Sequence, residues 1–102
     1  MQALQISTVP VIFHGFRKSF ELAKQLLQRG YYLSFGAPLL YDTSLQACFT
    51  QIPLNRVFLE TDDSTSITIA QLYREAAAFL HTDVGYLTLQ LHDNYQRLFF
   101  PR

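Results

Sequence analysis

Apolar and polar positions along the chain follow two alternating rhythms. Val9–Phe13 is a short apolar, β-branched run after polar residues, the pattern of a strand buried on both faces. From Ser19, a helix-capping residue type, Phe20, Ala23, Leu26 and Leu27 recur at helical spacing up to Gly30, a natural helix-ending residue. Tyr31–Phe35 predicts a second strand, closed by Gly36 and Pro38. Ser44–Ile52 predicts a short helix with Leu45, Cys48, Phe49 and Ile52 on one face, ended by Pro53. Arg56–Leu59 predicts a third strand that runs into Glu60-Thr61-Asp62-Asp63. Beyond the polar stretch Ser64–Ser66, a helix is expected from about Ile67 to Leu80, with a stripe of Ile69, Leu72, Ala76 and Phe79. A last helix is expected over Val84–Phe99, with Leu87, Leu91, Tyr95, Leu98 and Phe99 on its buried side.

The resulting order, β-α-β-α-β-α-α, implies βαβ units and a parallel sheet, hence an α/β fold. The chain of 102 residues reads as a single segment without linker, repeat or low-complexity tract. Three parallel strands cannot close into a barrel, and both sheet edges would be open. The pattern therefore fits either a small α/β sandwich or a piece of a larger sheet.

Composition narrows the picture. With 49% hydrophobic residues, the chain is too apolar for a disordered segment. Eight basic and eight acidic side chains balance to zero, so no global field draws it to nucleic acid or to an acidic membrane face. Low net charge with nine Phe and six Tyr favours self-association. The single Cys48 cannot form an internal disulfide, and its place on an apolar face predicts a buried thiol in a reducing cytoplasm. The first residues lack the charge and long apolar run of a signal peptide, and no apolar stretch approaches the roughly 18 residues of a membrane span.

In parallel α/β folds, functional side chains gather just past the C-terminal ends of the strands. The first strand delivers His14 there, and the third delivers Glu60 and Asp62. Imidazole and carboxylate are ordinary ligands for zinc, manganese and similar ions, and a carboxylate beside a metal can take the proton of an attacking water. A single His at a strand end is also a common hydrogen-bonded structural residue, and acidic residues after a strand are often a solvated loop. One His and one or two carboxylates do not complete a catalytic centre, so further ligands would have to come from elsewhere.

Four segments resemble the TatD family of metal-dependent hydrolases in order and spacing: Val11-Ile12-Phe13-His14-Gly15-Phe16, Gly30-Tyr31-Tyr32-Leu33-Ser34-Phe35-Gly36, Leu54-Asn55-Arg56-Val57-Phe58-Leu59-Glu60-Thr61-Asp62 and Asn94-Tyr95-Gln96-Arg97-Leu98-Phe99. The resemblance implies the C-terminal portion of a TIM-type (β/α)8 barrel: its last three strands and closing helices. It implies His14 and Asp62 as metal ligands, with Asp62 also the catalytic base toward water, and Glu60 as support for the metal ligands. Ser34 and Gly36 match a strand end where the main chain could approach substrate closely, which a turn explains equally well, and Asn94, Arg97 and Phe99 match a structural helix. The cofactor would be divalent metal (Mg, Mn or Zn), and the substrate DNA or a small phosphate ester. Arg17 and Lys18 stand where the family usually has small polar residues; such a pair is ordinarily a solvated helix start, and here could hold a substrate phosphate. The family's remaining His and Glu ligands have no counterpart in this sequence. The isolated chain is thus expected to bind metal weakly and to be nearly inactive, needing the missing part of the barrel or self-association to cover its edges. The alternative is a non-catalytic α/β module that self-associates and keeps these residues as scaffold.

Overall fold

Three short parallel strands and four helices make up the computed structural model, which describes residues 11–61 and 67–100. The strands are β1 (Ile12–Phe13), β2 (Tyr32–Phe35) and β3 (Val57–Leu59). They lie in the order β1-β2-β3, with Ile12 beside Tyr32 and Leu33 beside Val57. Helix α1 (Phe20–Gln28) connects β1 to β2. A 3-10 turn (Ala37–Leu40), helix α2 (Thr43–Phe49) and a second 3-10 turn (Leu54–Arg56) connect β2 to β3. Helices α3 (Ile69–Phe79) and α4 (Val84–Phe99) follow. Among the described residues β1 and β3 each pair on one side only, as the strand count predicts.

Local chemistry sets the element boundaries. Ser19 Oγ accepts the Leu22 N–H, and Asp42, Thr68 and Asp83 cap α2, α3 and α4 in the same way. At the end of α1, the Gly30 N–H bonds the Leu27 carbonyl and the Tyr31 N–H bonds the Leu26 carbonyl. This Schellman turn places Gly30 at φ +86, a left-handed conformation that glycine adopts without Cβ strain. Tyr31 is spent closing that turn, so β2 begins one residue later than its apolar pattern predicts. Helix α3 ends in the same geometry, except that its left-handed position is filled by His81 at φ 55. Helix α2 is shorter than its apolar pattern: beyond Phe49 the Gln51 N–H bonds Cys48 and the Ile52 N–H bonds Phe49, tightening the chain ahead of Pro53. Ile52 is still buried by that turn.

The central strand explains the core. Leu33, Ser34 and Phe35 of β2 are all buried, as expected of a strand covered on both faces. Phe13, Phe16, Phe35 and Phe49 form a chain of edge-to-face contacts with centroids 5.9, 5.7 and 5.1 Å apart. Such pairs add roughly 0.5–1.5 kcal/mol each beyond simple burial. Leu39, Val57, Leu72 and Leu87 are fully buried as well. Cys48 is buried, as expected, and burial pushes its thiol pKa up.

Two predicted helical faces require correction. On α3, Leu72 and Ala76 are buried but Ile69 is exposed, because it sits at the first turn, beyond the edge of the packed layer. On α4, Leu87 and Leu91 are buried while Tyr95 and Phe99 are each about half exposed and pack ring against ring. The inward position in that last stretch belongs to Asn94, which is fully buried. Its amide donates to the carbonyls of Leu54 and Val57, both at 2.9 Å, and its oxygen accepts from Gln90 and Arg97. A polar side chain thus takes the place that an apolar one would have filled, tying α4 to the approach of β3. The expected strand residues Val9 and Pro10, and the loop Asp63–Ser66, lie outside the described residues.

Candidate functional site

Adjacent parallel strands bring His14, Ser34 and Glu60 together at their C-terminal ends. The ladder continues past the formal strands: the Phe16 N–H bonds the Ser34 carbonyl and the Glu60 N–H bonds the Phe35 carbonyl, both at 2.9 Å. These bonds fix where the three side chains emerge. Between His14 and Phe16 the chain turns through Gly15 at φ +61, which lets His14 face outward while Phe16 enters the core.

Glu60 is the hub. Its Oε1 accepts from His14 Nδ1 at 2.8 Å and from Ser34 Oγ at 2.7 Å. Ser34 is buried, and this bond satisfies its hydroxyl. Partial burial raises the Glu60 pKa, but the bonds from His14 and Ser34, the His14 charge and the Gly15 N–H together outweigh it. The net shift is downward, so Glu60 is an acceptor-only carboxylate at neutral pH. The bond to this carboxylate places the hydrogen on His14 Nδ1, which leaves Nε2 as the nitrogen that could coordinate a metal. The His14 side chain is 71% exposed, against 33% for Glu60.

This arrangement fits a metal ligand. A metal-bound histidine almost always donates its other ring N–H to a carboxylate or carbonyl, which fixes ring orientation and raises ligand basicity. His14 has that partner, and Glu60 is itself held by a third residue. Among the described residues, no three His, Cys, Asp or Glu side chains gather closely enough to hold an ion by themselves. Asp62, expected as the second ligand and base, lies outside the described residues.

Gly36 serves packing. A Cβ there would stand 3.4 Å from the Glu60 carbonyl oxygen, so the small residue lets the β2 exit run close beside the Glu60 main chain. Arg17 sits in the loop after β1, where its Nε donates to Asp42 Oδ2 at 3.2 Å and its guanidinium lies 5.6 Å from the centre of the Tyr41 ring. Lys18 is exposed beside it. Sequence reasoning missed the part-buried Ser34–Glu60 bond, and missed Tyr41 and Asp42 altogether. Asp42 carried a signal, since it is a capping residue type directly ahead of an amphipathic segment. An exposed tyrosine carries none.

Comparison with known proteins follows the same lines. A family model described as TatD related DNase matches residues 1–100. An uncharacterized metal-dependent hydrolase of Buchnera aphidicola subsp. Acyrthosiphon pisum is 38% identical over 53 residues, which is 50% of this chain and 20% of that protein. A TatD family hydrolase from Entamoeba histolytica superimposes with a TM-score of 0.76 at 15% identity, covering 89% of this chain and 42% of the other. The TatD homologue YJJV from Escherichia coli K12 gives 0.76 at 22% identity, covering 86% and 39%. The chain therefore spans less than half the length of these relatives, and the parallel sheet with its helices is part of the α/β barrel of the two solved structures.

Proposed function

The chain belongs to the TatD related DNase family, and from that premise we propose that it carries the C-terminal part of a metal-dependent phosphodiesterase centre acting on DNA. The observation that carries this reading is the 2.8 Å bond from His14 Nδ1 to Glu60, which presents Nε2 at the strand ends where a metal would sit.

In this reading His14 supplies a nitrogen ligand and Asp62 a carboxylate ligand, and Asp62 also receives the proton of the attacking water. A divalent ion, when bound, would polarise the phosphate and acidify that water. Glu60 keeps the imidazole oriented and in one tautomer. Ser34 keeps Glu60 from rotating away, because its hydroxyl donates from a buried position on the central strand. The remaining ligands come from outside this segment, so the isolated chain binds metal weakly and turns over little. Among the described residues no helix is long and apolar enough to cross a membrane.

Calorimetric titration with Mn²⁺ tests the reading. Heat of binding should be seen for the chain and lost in a His14→Ala/Asp62→Ala double variant. Glu60→Gln should weaken binding by about 10- to 100-fold, the usual cost of removing such an outer partner. Equal Mn²⁺ affinity in all three proteins would remove His14 and Asp62 from the site.

A further inference from the structure

Arg17 and Tyr41 come from two different loops that leave adjacent strands at the end where His14 and Glu60 sit. Arg17 lies three residues beyond His14, in the β1–α1 loop, and Tyr41 follows the 3-10 turn after β2. The guanidinium stands 5.6 Å from the Tyr41 ring centre and is anchored through Nε to Asp42. Both groups remain accessible: the Arg17 side chain is 51% exposed and Tyr41 is 63% exposed. One face of the ring is thus occupied by a cation, while the residue as a whole stands out into solvent.

We propose that Arg17 and Tyr41 form a nucleotide clamp at the mouth of the site, Tyr41 stacking on a base of a single DNA strand while Arg17 binds the adjoining phosphate. The substrate class rests on the phosphodiesterase reading above; the clamp itself rests on the placement of these two side chains. A flat aromatic face takes any base, and stacking of this kind is the sequence-tolerant half of single-strand recognition. The other half is a positioned cation. Nε is committed to Asp42, and among the described residues the Nη1 and Nη2 groups of Arg17 have no protein acceptor, so the fork that matches phosphate oxygens points elsewhere. Asp42 does not cancel this cation in full. Its carboxylate also accepts the Leu45 N–H at the start of α2, so its charge is shared with the helix end. Asp42 is a positioning residue, holding the guanidinium in one orientation.

A single strand fits this geometry better than a duplex, because an exposed ring reaches only an unstacked base.

Fluorescence anisotropy of a short labelled oligothymidylate, titrated with the full chain in EDTA, reads the clamp without metal. The wild type should bind saturably. Tyr41→Ala and Tyr41→Leu should each weaken binding roughly tenfold, whereas Tyr41→Phe, which keeps the ring, should bind as the wild type does. Arg17→Ala should weaken binding and reduce the salt dependence by about 0.7 in the log–log slope, the value for one lost phosphate contact on a single strand. Melting curves of each variant establish that it is folded. Mn²⁺ calorimetry on Tyr41→Leu separates the two readings: this variant should lose oligonucleotide affinity in EDTA and yet bind Mn²⁺ as the wild type does. The clamp is overturned if the wild type shows no saturable binding, if Tyr41→Leu binds as well as Tyr41→Phe, or if Arg17→Ala changes the melting temperature but neither affinity nor salt slope.

Discussion

Replacing Asn94 by alanine should be among the most damaging single changes in this chain, although it removes no apolar contact and touches no site residue. Asn94 is fully buried and makes two donated bonds of 2.9 Å, to the carbonyls of Leu54 and Val57. It also accepts from Gln90 and Arg97. Each bond contributes about 1 kcal/mol net, and a buried carbonyl left without a donor costs a further 1–3 kcal/mol. Water admitted to the vacated volume recovers part of that, so a loss of about 2–4 kcal/mol is expected. Set against a total stability of roughly 5–15 kcal/mol, this is a large fraction. Urea unfolding followed by circular dichroism provides the assay. With a slope of about 1–2 kcal/mol per M, the midpoint should fall by about 2 M. Asn94→Asp should be at least as harmful at neutral pH, because it sets a buried carboxylate against two carbonyl oxygens, and should recover in part as acid protonates it. His92→Ala, on the exposed face of the same helix, is the control and should stay within about 0.5 kcal/mol of wild type. If the Asn94→Ala midpoint moved by less than about 0.3 M at unchanged slope, water would be replacing the amide in full, and the claim that Asn94 locks α4 to β3 would be wrong.

Three further outcomes follow from particular contacts. His81→Gly should stabilise the chain by about 0.5–1 kcal/mol, since a left-handed residue with a Cβ costs about 1–2 kcal/mol and glycine returns part of that gain as unfolded-state entropy; thermal melting should rise by a few degrees. The Leu45 N–H first, and then Arg17, hold the Asp42 carboxyl below its ordinary value of 3.8. A depressed carboxylate contributes stability that is fully present above that ordinary value and is lost as pH falls through the folded one. Urea midpoints measured from pH 2 to 5 should therefore rise less steeply with pH in Asp42→Asn than in the wild type, and parallel curves would remove Asp42 as a contributor. Ser34→Ala should weaken Mn²⁺ binding in calorimetry, by less than Glu60→Gln does, because it frees the residue that orients His14 and leaves His14 in place.

The α/β order and the parallel sheet were legible because each rests on strong, local periodicity: short apolar runs between amphipathic segments, closed by Gly30 and Pro53. What was not legible depends on partners far along the chain. Asn94 reads as a polar residue on a helix until Leu54 and Val57, some forty positions earlier, arrive with carbonyls that need donors. The sequence suggested Tyr95 and Phe99 for the interior because hydrophobicity is visible in one dimension and an unsatisfied carbonyl is not. The same distinction runs through the site. His14 and Glu60 stand out by chemical type at strand ends, yet their 2.8 Å bond joins positions 46 residues apart and exists only because β2 lies between β1 and β3 and holds Ser34 in the centre. That strand order has a consequence for function. Ser34 reaches Glu60 from the middle strand, and Glu60 reaches His14 at its own strand's far neighbour, so the imidazole is oriented by the sheet as a whole. A lesion that shifts β3, Asn94→Ala included, should then weaken Mn²⁺ binding without altering any ligand, and a destabilised Asn94 variant that still bound Mn²⁺ with wild-type affinity would show that His14 is held by its own loop instead.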